Sequence, residues 1–285
     1  MLCVLNVLSL LVDMSSIRDK SAKLKKNKKH SLNNINFVLT PQGIKIDAYT
    51  LQDLGLDKKF INYFTIRVKT INGYIKGIPN HTRSKTDLIF PRFGMLNLLT
   101  TTYKKYHVSN ELPESERPKI KFKWTGKYKN NQPIIAKHIL ENYFTPEKAA
   151  NGTAGLILNL EAGQGKSYTA AGLMQSLQKK TLIICHNRSI MNQWVKLLRD
   201  SYPKNKIAHY FGEVREDGDI VVAVVNSLLM DNMYIGPTGK QTIGMLVSPP
   251  DFFKRFGFVV LDEVHEYCGN SRKKIYQRAQ ASYML

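Results

Sequence analysis

The stretch from Gly155 to Lys180 leaves this chain few options. It runs from an apolar segment, Gly155 to Leu160, through two closely spaced glycines, Gly163 and Gly165, into the helix-like run Tyr168 to Lys180. The order strand, glycine loop, helix is that of a polyphosphate cradle. Glycine lets the backbone curl tightly enough to aim several N–H groups at phosphate oxygens. The following helix brings its positive N-terminal end to the same point. Gly163, Gln164, Gly165, Lys166, Ser167 and Tyr168 are therefore expected to bind ATP, with Lys166 on the β/γ-phosphates and Ser167 on Mg2+. The strict pattern G-x-x-x-x-G-K-[ST] is not met, because Leu160 stands where its first glycine falls.

About a hundred residues on comes Phe258-Val259-Val260-Leu261-Asp262-Glu263-Val264-His265. Four apolar residues predict a buried parallel strand, and the end of such a strand is where an α/β sheet displays its chemistry. Asp262 is expected to hold Mg2+ through water. Glu263 is expected to take a proton from the water that attacks the γ-phosphate, and His265 to couple that phosphate to the rest of the machine.

Together Leu160–Ser167 and Leu261–His265 resemble motifs I and II of a superfamily 2 helicase of the DExH kind. Residues 181–194, ending in Gln193-Trp194, resemble motif Ia, with His186 where the family usually has proline. Residues 219–228 resemble the strand written D-I-V-I-A-T-x-Q-S-L, with Val224 for Thr and Asn226 for Gln. Four matches in order across 155–265 are specific for the superfamily and less so for any branch of it; XPB-like and large-DNA-virus or phage helicases stand nearest.

The resemblance implies an α/β fold: a RecA-like domain with a parallel sheet over 131–285, preceded by a small α+β domain. It implies ATP and Mg2+ as cofactors and nucleic acid, DNA or RNA, as partner, gripped through its backbone by Asn187, Arg188, Ser189, Asn226 and Ser227 without regard to sequence. It also implies a motif III close to Leu285 and a second RecA-like domain with an arginine finger, neither found in these 285 residues. The chain is thus expected to be an N-terminal fragment of the motor, completed in cis or in trans, with little activity alone. Another P-loop enzyme, or a nucleic-acid-binding module with a vestigial ATP fold, is the alternative.

Upstream, the formal net charge of +20 fits a polyanionic partner. Residues 1–130 hold 24 Lys and Arg against nine Asp and Glu, while 131–285 hold 18 against 13, so the excess precedes the ATP-binding part. Residues 1–34 read as a short apolar leader, neither a secretory signal nor long enough to span a bilayer, followed by a basic tail from Arg18 to Lys29 that is either solvated or lies along phosphates.

Residues 35–112 alternate β-rich runs, Phe60 to Ile71 among them, with turn signals, Asn72-Gly73 being the strongest hairpin signal. Their cations interleave with Tyr63, Phe64, Tyr74, Phe90 and Phe93, which form either a core or a stacking surface. Ile89 to Gly94 looks like the PR-x-x-G segment before the motor of many viral helicases. Residues 113–130 read as a linker and a lead-in strand in which Lys119, Lys121, Lys123, Lys127 and Lys129 alternate with Ile120, Phe122 and Trp124. Gln132, just beyond, stands where the family's L-R-x-Y-Q places an adenine-recognising Gln, and reads equally as a polar helix start. Three widely spaced cysteines, Cys3, Cys185 and Cys268, form neither a disulfide framework nor a zinc pattern, which suits an intracellular reducing compartment, cytoplasmic, nuclear or in a viral host.

Overall fold

The computed structural model describes residues 4–5, 32, 35–40, 43–69, 75–79, 81–103, 105–111, 119–161, 163–229, 234–235, 241–242, 250–267, 272, 274–279 and 281–285. The basic tail, the Asn72-Gly73 turn and the linker 112–118 lie outside them. Two compact units result, one over 6–112 and one over 113–285 that also takes in residues 1–5. Among the described residues, no helix is long and apolar enough to cross a membrane.

The first unit is built on strands β1 (Asn36–Thr40) and β2 (Gly43–Asp47), helices α1 (Ala48–Asp53) and α2 (Asp57–Tyr63), the hairpin of β3 (Thr65–Lys69) and β4 (Ile75–Pro79), strands β5 (Thr82–Arg83) and β6 (Asp87–Phe90), helix α3 (Arg92–Thr102) and strand β7 (His107–Asn110). Its main sheet has the order β5-β6-β2-β1-β7, antiparallel except for β1 beside β7. Gly43 is required there, since its φ is +144° and a Cβ would strike the Phe90 carbonyl. The β-rich reading of Phe60 to Ile71 is corrected over its first residues, which are helical. Phe60 and Phe64, four apart, turn into the core from one face, a helical period. Phe64 and Phe90 are buried, so these two rings serve packing rather than a stacking surface.

In the second unit, residues 119–129 form no strand ladder beyond a single bridge from Lys119 to Lys179, although their alternation predicts a strand. Their partners are side chains: Gln178 bonds both the N–H and the carbonyl of Phe122, and Gln175 accepts from Trp124 N. Helices α4 (Gln132–Asn142) and α5 (Pro146–Ala150) follow, then strand β8 (Ile157–Leu158), which pairs antiparallel with Val4–Leu5.

The remaining elements are α6 (Lys166–Leu177), β9 (Thr181–Cys185), α7 (Arg188–Ser201), β10 (Ile207–Phe211), β11 (Val214–Arg215), β12 (Ile220–Val224), α8 (Val225–Leu229), α9 (Pro250–Lys254), β13 (Phe258–Leu261), a 3-10 turn at Val264–Tyr267, α10 (Lys274–Arg278) and β14 (Tyr283–Met284). Two further short strands, Tyr234–Ile235 and Gln241–Thr242, pair antiparallel.

The sheet has the order β11-β10-β12-β9-β13-β14, parallel throughout except for β11. β9 and β12 are buried at every position, which explains their unbroken Ile, Leu and Val runs. The last strand, Tyr283–Met284, has a decisive place. The strand is bonded to β13 through its neighbour Leu285, whose N–H donates to Val259 O (2.9 Å), while Met284 faces the other way and bonds, in parallel, to the segment that enters the glycine loop, through Leu156 N to Met284 O (3.1 Å) and Met284 N to Ala154 O (3.0 Å).

Candidate nucleotide and nucleic-acid site

The parallel register puts the C-terminal ends of four strands and of the 155–160 segment on one rim, since Ile184 is level with Leu261 and Cys185 with Val224. β14 alone stands between the glycine-loop strand and β13, so the loop and the acidic pair are two strand spacings apart, about 10 Å.

Gly163 and Gly165 both have left-handed backbone, φ +79° and +76°. Gly165 is the residue before α6, and no side chain caps that helix, so its first-turn N–H groups face out of the loop. Gln132 fills the space beside Gly165 so closely that a Cβ there would collide with its amide nitrogen. Gln132 is 8% exposed. Its Oε1 accepts from Lys129 N at 2.9 Å and its Nε2 donates to Gln164 O at 3.4 Å, so both ends of the amide are used at the loop. Lys166 Nζ donates to Leu160 O at 2.8 Å, which lays the amine along the loop interior. Ser167 is half-buried in the first turn of α6. Tyr168 packs its ring on Trp124 (5.4 Å between centroids), and its hydroxyl accepts from Lys127 N at 3.3 Å.

At the end of β13, Asp262 N donates to Ile184 O at 3.0 Å, and its carboxylate Oδ2 accepts from Trp194 Nε1 at 2.8 Å. Trp194 is 3% exposed, so this bond is shielded from water. The next residue, Glu263, has φ +52°, a left-handed conformation that costs a non-glycine residue about 1–2 kcal/mol. That backbone turn leaves the Glu263 carboxylate exposed, with His265 Nδ1 at 3.4 Å from its Oε2. Tyr267 anchors the turn from below, its buried hydroxyl donating to Ile184 O at 2.8 Å. Burial, and secondarily the Asp262 charge, pushes the Cys185 thiol well above its ordinary range, and Tyr267 is raised chiefly by burial.

The residues expected to grip nucleic acid follow the neighbouring strands β9 and β12. Asn187 caps α7 through Oδ1 to Ile190 N (3.0 Å), Arg188 lays its guanidinium 4.4 Å from the Phe211 ring, and Ser189 and Asn226 are exposed. Ser227 is different: it is 5% exposed and its hydroxyl accepts from Gly212 N at 2.9 Å, tying α8 to the β10–β11 turn. Trp194 enters the sequence reading as the end of the motif Ia resemblance, and no local signal marks its bond to Asp262, 68 residues away. Among the described residues no cluster of acidic, His or Cys side chains has the form of an all-protein metal site.

A parallel sheet with a glycine loop, an acidic pair and polar strand ends on one rim defines the ATP-binding domain of a superfamily 2 helicase. The family described as "Type III restriction enzyme, res subunit" matches residues 125–285, and the chain belongs to that family. It is 29% identical over 258 residues to QP509L of African swine fever virus (isolate Pig/Kenya/KEN-50/1950), named provisionally as an ATP-dependent RNA helicase; the match takes in 85% of this chain and 44% of that one. It is 22% identical over 261 residues to L396 of Acanthamoeba polyphaga mimivirus, named in the same way, covering 89% and 45% of the two chains. The chain thus spans less than half the length of these relatives. Among solved structures, the Sulfolobus solfataricus SWI2/SNF2 ATPase core in complex with dsDNA aligns over 59% of this chain and 32% of its own at 18% identity, with a TM-score of 0.39.

Proposed function

We propose that this chain is the ATP-binding part of a helicase or translocase that couples ATP hydrolysis to movement on nucleic acid. The observation that carries this reading is the common rim: glycine loop, acidic pair and polar strand ends lie along one edge of one parallel sheet.

The loop fits Mg2+·ATP on its own geometry. Two left-handed glycines and an uncapped helix offer backbone donors, and Lys166 is free to exchange its carbonyl partner Leu160 for a phosphate oxygen. Ser167 and Asp262 supply the hard oxygen donors that Mg2+ prefers, the second through water. The metal, when bound, neutralises charge on the β- and γ-phosphates. Gln132, packed against Gly165, would read a base bound beside the loop by exchanging its bonds to Lys129 N and Gln164 O, and Tyr168 shapes the same wall. Glu263 is held exposed by its strained backbone, beside His265, and serves as proton acceptor for the attacking water, with His265 passing the change toward the nucleic-acid side.

Asn187, Arg188, Ser189 and Asn226 form the sequence-independent grip on a phosphate backbone, with Ser227 holding the shape of that strand end. A second RecA-like domain, in cis or in trans, completes the motor, and the greater length of the relatives is consistent with one. The reducing interior of a cell, host cytoplasm or nucleus, suits the free buried thiol of Cys185.

The test is binding of a fluorescent ATP analogue with Mg2+, together with ATP hydrolysis in the presence of single-stranded and duplex RNA and DNA. Lys166→Ala should lose nucleotide binding, and Glu263→Gln should bind nucleotide without turnover. Binding and turnover untouched by both substitutions would remove the reading.

A further inference from the structure

The five lysines of the lead-in segment form a feature that the nucleotide site does not use. Lys119, Lys121, Lys123, Lys127 and Lys129 are all exposed, while Phe122 is buried and Ile120, Trp124 and Tyr128 are half-buried against the core. No acidic residue occurs between 119 and 129, and among the described residues none of the five is in an ion pair.

The backbone carrying them is fixed in an extended course. The N–H groups of Ile120, Phe122 and Trp124 turn inward to Gln178 O (3.1 Å), Gln178 Oε1 (3.0 Å) and Gln175 Oε1 (2.8 Å), which gives the two-residue period of an extended chain. Thr125 N then bonds Ser201 O at 2.9 Å, Lys127 N bonds the Tyr168 hydroxyl, and Lys129 N bonds Gln132. Lysines two apart on such a chain stand about 6.6 Å from one another, and the row is at most about 33 Å long.

A charge row of this kind is usually just a solvated face. Three properties set this one apart: all five lysines are exposed, no carboxylate offsets them, and their backbone is held by hydrogen bonds to Gln175, Gln178, Ser201, Tyr168 and Gln132, so a polyanion need not order it on binding. The aromatic rings point inward, which leaves backbone phosphates, not bases, as what the row can contact. It is also separate from the strand-end grip. Ser201, where the row crosses α7, is thirteen residues from Arg188 at the other end of that helix, about 20 Å along its axis.

We propose that Lys119, Lys121, Lys123, Lys127 and Lys129 form a second nucleic-acid contact, a ridge that holds one strand by its phosphates away from the motor rim. This rests on the nucleic-acid reading above and adds a site to it.

The test is fluorescence anisotropy of the whole chain with a labelled oligo(dT) over a range of salt concentrations, without nucleotide. The substitutions Lys121→Gln, Lys123→Gln and Lys127→Gln, made together, should lower the slope of log K against log salt by about 2, at roughly 0.7 per lost phosphate contact on a single strand, and weaken binding about 10- to 100-fold near 0.1 M salt. The same three positions changed to Arg should bind as the unmodified chain does, which separates loss of charge from loss of fold. An unchanged slope and affinity in the Gln variant overturns the ridge and leaves the motor reading standing. Failure of the unmodified chain to bind any oligonucleotide overturns both.

Discussion

The indole N–H of Trp194, buried in the middle of α7, donates to the carboxylate of Asp262 at the end of β13 across 2.8 Å. It spans two elements 68 residues apart and fixes one oxygen of the acid expected to face the metal. Trp194→Phe keeps most of the packing and removes that donor. A buried hydrogen bond to a charged group contributes about 1.5–3 kcal/mol, and the variant should lose stability of that order. With Asp262 less firmly oriented, the Mg2+ concentration for half-maximal nucleotide binding should rise, a change that packing loss alone does not produce. Chemical denaturation and an Mg2+ titration measure the two effects.

Gly165 is constrained twice, by its φ of +76° and by the Gln132 amide pressed against it. Gly165→Ala should cost about 1–2 kcal/mol of stability from the backbone alone, and more from the collision. Adding Gln132→Ala opens the space, so the double variant should be less destabilised than the sum of the two single ones. Because the two residues touch, a coupling of about 0.5–3 kcal/mol is expected in denaturant midpoints. Strict additivity would mean that the amide does not sit where it is described.

Ser227 and Arg188 should separate stability from binding. Ser227→Ala removes the partner of the Gly212 N–H in an exposed turn, a loss of about 0.5–1.5 kcal/mol with little direct effect on nucleic-acid affinity. Arg188→Ala should do the reverse, since its guanidinium is exposed over Phe211 and its removal would take away the phosphate contact proposed for it. Thermal melts and oligonucleotide titrations on the two variants should give opposite profiles.

The backbone frame of the candidate site was legible because its signals are local. Glycines two apart after an apolar run, and an acidic pair after another, fix backbone shape and strand burial over eight residues each. The helix 188–201 buries Met191, Trp194, Val195 and Leu198, a helical spacing that is local in the same way. What was not legible depends on partners distant in the chain. Tyr283–Met284 becomes a strand because it has β13 on one side and Ala154–Leu156 on the other, and nothing within its own few residues says so. Residues 119–129 have the alternation of a strand, but Gln175 and Gln178 take the hydrogen bonds that a neighbouring strand would have made. Ser227 accepts a bond from Gly212, fifteen residues away, which nothing in its own strand end foretells.

Alkaline conditions should unfold the second unit early. Burial raises the Cys185 thiol well above its ordinary value of 9.0 and pushes the Tyr128 phenol from 10.0 up to about 12. Below pH 9 both groups are protonated in folded and unfolded chains alike, and neither affects the balance. Above it the unfolded chain releases protons that the folded chain retains, so stability falls as pH rises from 9 toward the folded values. Urea midpoints should be steady up to about pH 8.5 and decline beyond, with Cys185→Ala flattening the first part of the decline. A midpoint that does not move would exclude the buried protonated state of these groups.

The glycine loop and the acidic pair are proposed to act on one bound Mg2+·ATP from the same rim. The most direct test is calorimetric ATP binding with Mg2+ for the unmodified chain, Lys166→Ala, Asp262→Asn and the double variant. If both side chains serve one nucleotide–metal complex, the two losses should be coupled and the double variant should fall short of their sum by about 0.5–3 kcal/mol. Losses that add independently, or an Asp262→Asn chain whose Mg2+-dependent binding is unchanged, would contradict it.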